Sequence, residues 1–240
     1  MAVELSHFLE IKESIAEKPY ASKNFTSQKK QPLKYLQYRL MRPYLKWKYN
    51  QYQKSHPKEP WLCPDAIIAL KKLLKDSAIG LEYGSGRSTT FFAPHFDKYI
   101  SIEHHKDWFE KVKIEITELG LDHVIYHHIP AEYDVPQQHL SSEEQAYISK
   151  ESYPIADDLF SDYTNFILTL PDNSLDFVLV DGRARRTCTL NATAKLVSGG
   201  LLVLDNSERD RYNEVHSALK DWPSIETTTG LTNTTIWRKP

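Results

Sequence analysis

Two cysteines in 240 residues, Cys63 and Cys188, are all the thiol chemistry the chain has. They lie far apart and match no metal-ligand or redox spacing, so both read as reduced thiols of a cytosolic protein. Long apolar runs are also missing: nothing approaches the length of a membrane span. Met1 to Glu10 is mixed and acidic, unlike a signal peptide, which adds to the expectation of a cytoplasmic protein. Charge of one sign is absent as well. Thirty Lys and Arg face 32 Asp and Glu, for a net charge of −2, so the chain as a whole does not read as a polyanion binder and nucleic acid is not an expected partner. No internal repeat or low-complexity tract stands out. The length suits one domain of ordinary size with an appended N-terminal segment.

What is present is concentrated first in Ile79 to Glu103. An apolar run ends in Glu82, a turn follows at Gly84-Ser85-Gly86, Ser88-Thr89-Thr90 open an apolar-faced segment, and a second apolar run ends in Glu103. This reads as strand, glycine turn, helix N-terminus and a strand tipped with a carboxylate. Glycines let backbone approach a ligand closely, helix N–H groups suit an anion, and a distal acid can accept both hydroxyls of a ribose. The dinucleotide fingerprint needs a third glycine where Thr89 stands, and no lysine follows the turn at phosphate-loop spacing. The E-x-G-x-G turn with its acid on the next strand instead resembles motif I of class I S-adenosylmethionine-dependent methyltransferases.

A second block, residues 174 to 212, extends the resemblance. Leu175 to Val180 is a short apolar run ending in Asp181, the pattern of a parallel strand buried on both faces. A helical segment to about Val197, the pair Gly199-Gly200 and a further buried strand, Leu201 to Leu204, lead to Asp205-Asn206. The tail, Ser224 to Thr229 and Thr232 to Arg238 around Gly230, reads as a hairpin. The resemblance implies an α/β, Rossmann-like three-layer sandwich with a seven-stranded, mostly parallel sheet. A terminal antiparallel hairpin and an N-terminal helical extension complete the expected fold.

It also implies a cofactor, S-adenosylmethionine. Glu82, Gly84, Ser85 and Gly86 would frame its methionine moiety, and Ser88 and Thr89 would bond its carboxylate. Glu103 would accept the ribose hydroxyls, with His104 along the adenine and Asp181 below the sulfonium. Asp181, Asp205 and Asn206 resemble the divalent-cation site of the catechol and caffeoyl-coenzyme-A type O-methyltransferases, where Mg²⁺ would activate an acceptor hydroxyl. The chain departs from that group after Asp181. Arg183, Arg185 and Arg186 stand there instead of a lysine, and they could pair with the acids or grip an anionic substrate. Arg209, Arg211 and Tyr212 add to that rim. Asp181, Asp205 and Arg183 are the candidate catalytic residues. The aromatic-proline tetrapeptide of many nitrogen methylators is missing after Asp181. The expected activity is therefore O-methylation of a small-molecule or glycan hydroxyl, on an acceptor that can be anionic. The alternative is a membrane- or nucleic-acid-binding protein on a degenerate methyltransferase fold.

Residues 1 to 60 form the N-terminal extension and 61 to 240 the methyltransferase-like domain. From Lys29 to Lys58 there are nine basic residues interleaved with six aromatics, and no acid. That segment could be a surface for an anionic partner, with peripheral membrane contact through residues 29 to 58, or a cap helix with its lysines in water. Pro43 is expected to kink or divide any helix there. Residues 131 to 170, acidic and aromatic, read as a substrate lid or as a lengthened crossover. Each of the pairs His104-His105 and His127-His128 offers at most one ligand to a metal site, because neighbours on a strand point to opposite faces, and apart from His104 they read as surface or structural residues.

Overall fold

The computed structural model describes residues 3–25, 31–74, 78–132 and 159–240. Seven strands form one sheet: β1 (Ile79–Tyr83), β2 (Lys98–Glu103), β3 (Val124–His128), β4 (Leu175–Val180), β5 (Leu196–Asp205), β6 (Ser224–Thr228) and β7 (Asn233–Arg238). Their spatial order is β3-β2-β1-β4-β5-β7-β6. The first five are mutually parallel, and β7 runs antiparallel to both β5 and β6. The expected sheet and terminal hairpin are therefore present. The chain reverses direction across the sheet between β1 and β4, and at such a switch point open α/β sheets place their ligands.

The strands sit between two apolar layers. Phe177, Leu179, Leu201 and Val203 point to one, with α3 (Pro64–Leu73); Val178, Val180, Leu202 and Leu204 point to the other. This alternation at period two makes both faces of the central strands buried, and explains their nearly continuous apolar sequence. Strand β5 begins five residues before the expected Leu201, because the chain pairs Leu196 with Leu175 and then shifts register before Phe177.

The N-terminal helix α1 (Leu5–Glu17) joins the first layer through Phe8, Ile11 and Ile15. Its start is tied to the sheet: the Val3 N–H donates to the Gly199 carbonyl, and Arg238 Nε donates to the Val3 carbonyl at 2.6 Å. Helix α2 (Pro32–Ser55) then runs for 24 residues straight through Pro43, which does not divide it. Proline forfeits one backbone bond, and the second half of α2 is held by the body of the protein. Leu45 packs on the Gly230 turn, and the Tyr49 hydroxyl donates to the Leu62 carbonyl. Among the described residues, no helix is long and apolar enough to cross a membrane.

Among the described residues the remaining α-helices are α4 (Arg87–Phe92), α5 (Lys106–Glu118), α6 (Ser161–Asn165), α7 (Arg185–Lys195) and α8 (Asn213–Ala218). Most of the insertion read as a lid, residues 133–158, lies outside the described residues. Its flanks meet, since the Glu132 N–H donates to the Leu159 carbonyl at 2.9 Å.

Candidate active site

The C-terminal ends of β2, β1 and β4 lie side by side, and backbone bonds lock them together. The Gly84 N–H donates to the Ile102 carbonyl and the Asp181 N–H to the Tyr83 carbonyl, both at 2.9 Å. Gly84 has φ +90°, and a Cβ there would come within 2.6 Å of the Gly182 backbone. Only glycine fits both demands. The glycine turn is thus set by the close approach of β1's end to β4's end, which puts Ser85 next to Glu103 and near Asp181.

Glu82 has no solvent exposure. It accepts hydrogen bonds from the Thr89 hydroxyl, from Ser101 Oγ at 2.7 Å and from Tyr99 OH at 3.3 Å, and the Ser88 hydroxyl also points to it. Burial pushes its carboxyl up to about 7 from the ordinary 4.5, against the pull of those hydroxyls. Thr89 Oγ1 accepts from the Gly86 N–H as well, so the turn, the start of α4 and β1 are joined through one buried acid. The hydroxyls of Ser88 and Thr89 are thereby turned inward, toward Glu82. To bond a ligand carboxylate they would first have to give up those contacts.

Glu103 stands at the tip of β2 and is also buried. Its Oε2 accepts from the Ser85 N–H and hydroxyl, both at 3.1 Å; its Oε1 accepts from the N–H groups of His104 and His105 at 2.9 and 2.8 Å. The His104 ring Nδ1 lies 2.9 Å from Oε1. Burial works against ionisation of Glu103, but the bonds from His104, His105 and Ser85 outweigh it and hold the carboxyl below its usual range. Both oxygens are therefore filled by protein donors, and ribose hydroxyls would have to displace some of them. The Ser85 hydroxyl is the readiest to leave, because Tyr126 OH sits 2.5 Å away and offers it a second partner. The indole of Trp108 pins the Ser85 carbonyl at 2.8 Å. The His104 ring also packs edge-on against Phe160 and Tyr163, while His127 packs on Phe166 and His128 on Phe109.

The acids after β4 and β5 come together, but around an arginine. Arg185 Nη2 lies 2.8 Å from Asp181 Oδ1; its Nη1 donates to the Asp205 carbonyl at 2.7 Å and lies 3.4 Å from Asp205 Oδ2. Its Nε donates to the Gly182 carbonyl at 3.0 Å. Asp205 Oδ1 accepts from Thr234. Asn206 faces elsewhere: its amide donates to Thr232 Oγ1, and its oxygen accepts from Arg209. The structure does not draw Asp181, Asp205 and Asn206 together into the expected cation site. A guanidinium fills the space between the two carboxylates, and the third ligand is turned away. Among the described residues no group of three or more His, Cys, Asp and Glu side chains is placed to hold a metal ion.

Arg183 is exposed, and Arg185 is the arginine that reaches the acids. The signal was the i,i+4 spacing from Asp181 to Arg185, which the expectation of Arg183 passed over. Of the three charged groups, Asp181 is the most open, with 27% of its side chain exposed against 13% for Arg185 and 5% for Asp205. Burial and the neighbouring Asp205 push the Asp181 carboxyl well above the usual carboxylate range, against the pull of Arg185. Sequence reasoning also missed Tyr49 on α2, whose hydroxyl is raised by burial and then by Asp205. Its neighbour Gln53 donates to it at 3.1 Å and accepts from Arg87 Nη1 at 3.3 Å, so α2 reaches the glycine turn.

No protein-family model matches the sequence, and no curated protein matches it. Solved structures do. A methyltransferase-like protein from Silicibacter pomeroyi is 19% identical, over 76% of this chain and 89% of that one, with a TM-score of 0.52. A precorrin 8w decarboxylase from Methanobacterium thermoautotrophicum is 13% identical over 77% and 94% of the two chains, with a TM-score of 0.49. A methyltransferase from Geobacter sulfurreducens is 13% identical over 81% and 88%, with a TM-score of 0.48. At these identities the likeness is one of fold, and the chain has the Rossmann-like α/β fold of methyltransferases.

Proposed function

We propose that this chain is an S-adenosylmethionine-dependent O-methyltransferase acting on a hydroxyl of a small molecule or glycan that carries negative charge. One observation supports it most: a glycine turn, an acid at the next strand tip and a partly open acid of raised proton affinity stand at three adjacent strand ends. Glu103 would hold the ribose hydroxyls as Ser85 turns to Tyr126, and the Gly84-Ser85-Gly86 turn would face the methionine part. The cofactor, when bound, supplies a methyl group on a sulfonium. Asp181 in its ionised form takes the proton of the acceptor hydroxyl, and its raised proton affinity suits a base working near neutral pH. Arg185 holds the Asp181 carboxylate in place and keeps it beside Asp205 without a metal ion. The arginines on the rim favour an acceptor with a phosphate or carboxylate.

The test is a screen of sugars, phosphosugars and catechols with labelled cofactor, with and without chelator. Transfer should persist in chelator and fall at least a hundredfold in Asp181→Asn. Calorimetry should show cofactor binding that is lost in Glu103→Ala. Transfer that needs a divalent ion would refute the metal-free site. Tight binding of a nicotinamide dinucleotide without S-adenosylmethionine binding would refute the whole reading.

A further inference from the structure

Helix α2 presents two unlike faces. Its inner face seats Leu45, Tyr49, Tyr52 and Gln53 against the body of the protein. Its outer face carries Leu33, Leu36, Leu40, Tyr44 and Trp47, spaced three or four residues apart, which aligns them along one stripe of the helix. All five are exposed, Leu33 at 77%, Leu40 at 70% and Trp47 at 58%. A stripe of this size facing water calls for a partner, since scattered single residues would not line up in this way.

The charges beside the stripe select that partner. The helix holds Lys34, Arg39, Arg42, Lys46, Lys48 and Lys54 and no acid, in a chain whose net charge is −2. Lys48 is engaged by the Tyr20 carbonyl at 2.6 Å, whereas Lys34, Arg39 and Lys46 are exposed and flank the stripe on its two sides. A second copy of the helix would set six cations against six. A nucleic acid would use the cations but leave the leucines in water. A bilayer rich in anionic lipid satisfies both faces: leucines enter the acyl boundary, Tyr44 and Trp47 suit the headgroup level, and the flanking cations meet phosphates. We infer that the outer face of α2 is a docking surface for an anionic lipid bilayer. This inference does not depend on the methyltransferase reading.

The experiment is co-sedimentation of the full chain with phosphatidylcholine vesicles, with and without phosphatidylglycerol, at low and high salt. Binding is expected only with the anionic lipid, and weaker at high salt. Leu36→Ser with Leu40→Ser should lower partitioning roughly tenfold or more. Each of Lys34→Gln, Arg39→Gln and Lys46→Gln should lower it about fivefold. These side chains are exposed, so an unchanged melting temperature verifies that each variant is folded. Equal binding to neutral vesicles, or none to anionic ones, overturns the inference. So does binding of duplex DNA with a steep salt dependence that the leucine changes leave untouched, which would make the face a nucleic-acid surface. A concentration-dependent dimer abolished by the leucine changes, without vesicle binding, would give the face to a second copy.

Discussion

Replacing Arg185 with glutamine removes the one cation that, among the described residues, joins the ends of β4 and β5. The side chain makes contacts of 2.8 Å to Asp181, 2.7 Å to the Asp205 carbonyl and 3.0 Å to the Gly182 carbonyl. Without it two carboxylates face each other in largely buried surroundings, and breaking a pair of this kind from one side costs roughly 3–5 kcal/mol. The loss should depend on pH. Asp181 already holds its proton more tightly than an ordinary carboxyl, and losing Arg185 strengthens that hold. Protonation of Asp181 relieves the repulsion, so the penalty should be largest in mildly alkaline buffer and shrink as the pH falls. Urea unfolding of the wild type and of Arg185→Gln at about pH 9 and about pH 6 measures this directly. Adding Asp181→Asn should recover about 1–3 kcal/mol at the higher pH, as coupled neighbours do. A penalty below about 1 kcal/mol at about pH 9, or one equal at both pH values, would refute the view that Arg185 neutralises the two acids.

Glu82 gives a second pH signal. Its carboxyl is raised from 4.5 to about 7 in the folded chain, so its contribution to stability is full below the lower value and lost as pH rises through the upper one. Glu82→Gln should therefore gain about 3 kcal/mol on the wild type between those limits, read as diverging melting curves; parallel curves would sink the idea. Gly84→Ala should lose about 2 kcal/mol or more, because φ is +90° and the new Cβ would meet Gly182 backbone. An unchanged urea midpoint would show that the turn relaxes freely. Ser85→Ala should tighten binding of demethylated cofactor a few-fold by calorimetry, since one donor competing for Glu103 is gone. A tenfold weakening would instead make the Ser85 hydroxyl a direct ligand.

The sheet was legible because its signals are local. Leu175 to Val180 is apolar at every position but one and ends in an acid, and the observed β4 has the same bounds. The glycine turn lies between a strand and a helix, as the spacing implied. What the sequence could not show is which way side chains turn after a strand ends. Ala184 adopts a left-handed conformation with φ +44° just before α7, so the helix opens with Arg185 at the acids and leaves Arg183 outside. The hydroxyls of Ser88 and Thr89 had two acceptors open to them, a ligand anion or Glu82, and in the folded chain burial of Glu82 claims them. In α1, too, it is packing that decides which apolar side chains turn inward. Leu5 and Leu9 are exposed, while Ile11 is buried with Phe8 and Ile15, because the helix packs along α3. Pro43 does not divide α2, because contacts of Leu45, Tyr49 and Gln53 with the rest of the protein hold the helix on its far side.

If the proposed methyl transfer needs a base, the surroundings of these groups favour one of them. Glu82 is fully buried beneath the turn and touches only protein hydroxyls, so an acceptor cannot reach it. Glu103 has its proton affinity lowered by the donors around it, which makes it a good anchor and a poor base. The Tyr49 hydroxyl is raised by burial and donates to the Leu62 carbonyl, so it keeps its proton at neutral pH. Asp205 is nearly closed to solvent and is held by Thr234 and Arg185. Asp181 alone among these groups combines an open edge with a raised affinity for a proton. The same feature limits it: if Asp181 takes the acceptor's proton, the rate must fall as pH drops through its titration, and Arg185→Gln must move that fall to higher pH. A rate profile that Arg185→Gln leaves in place would assign the proton to another group, whatever the variant does to stability.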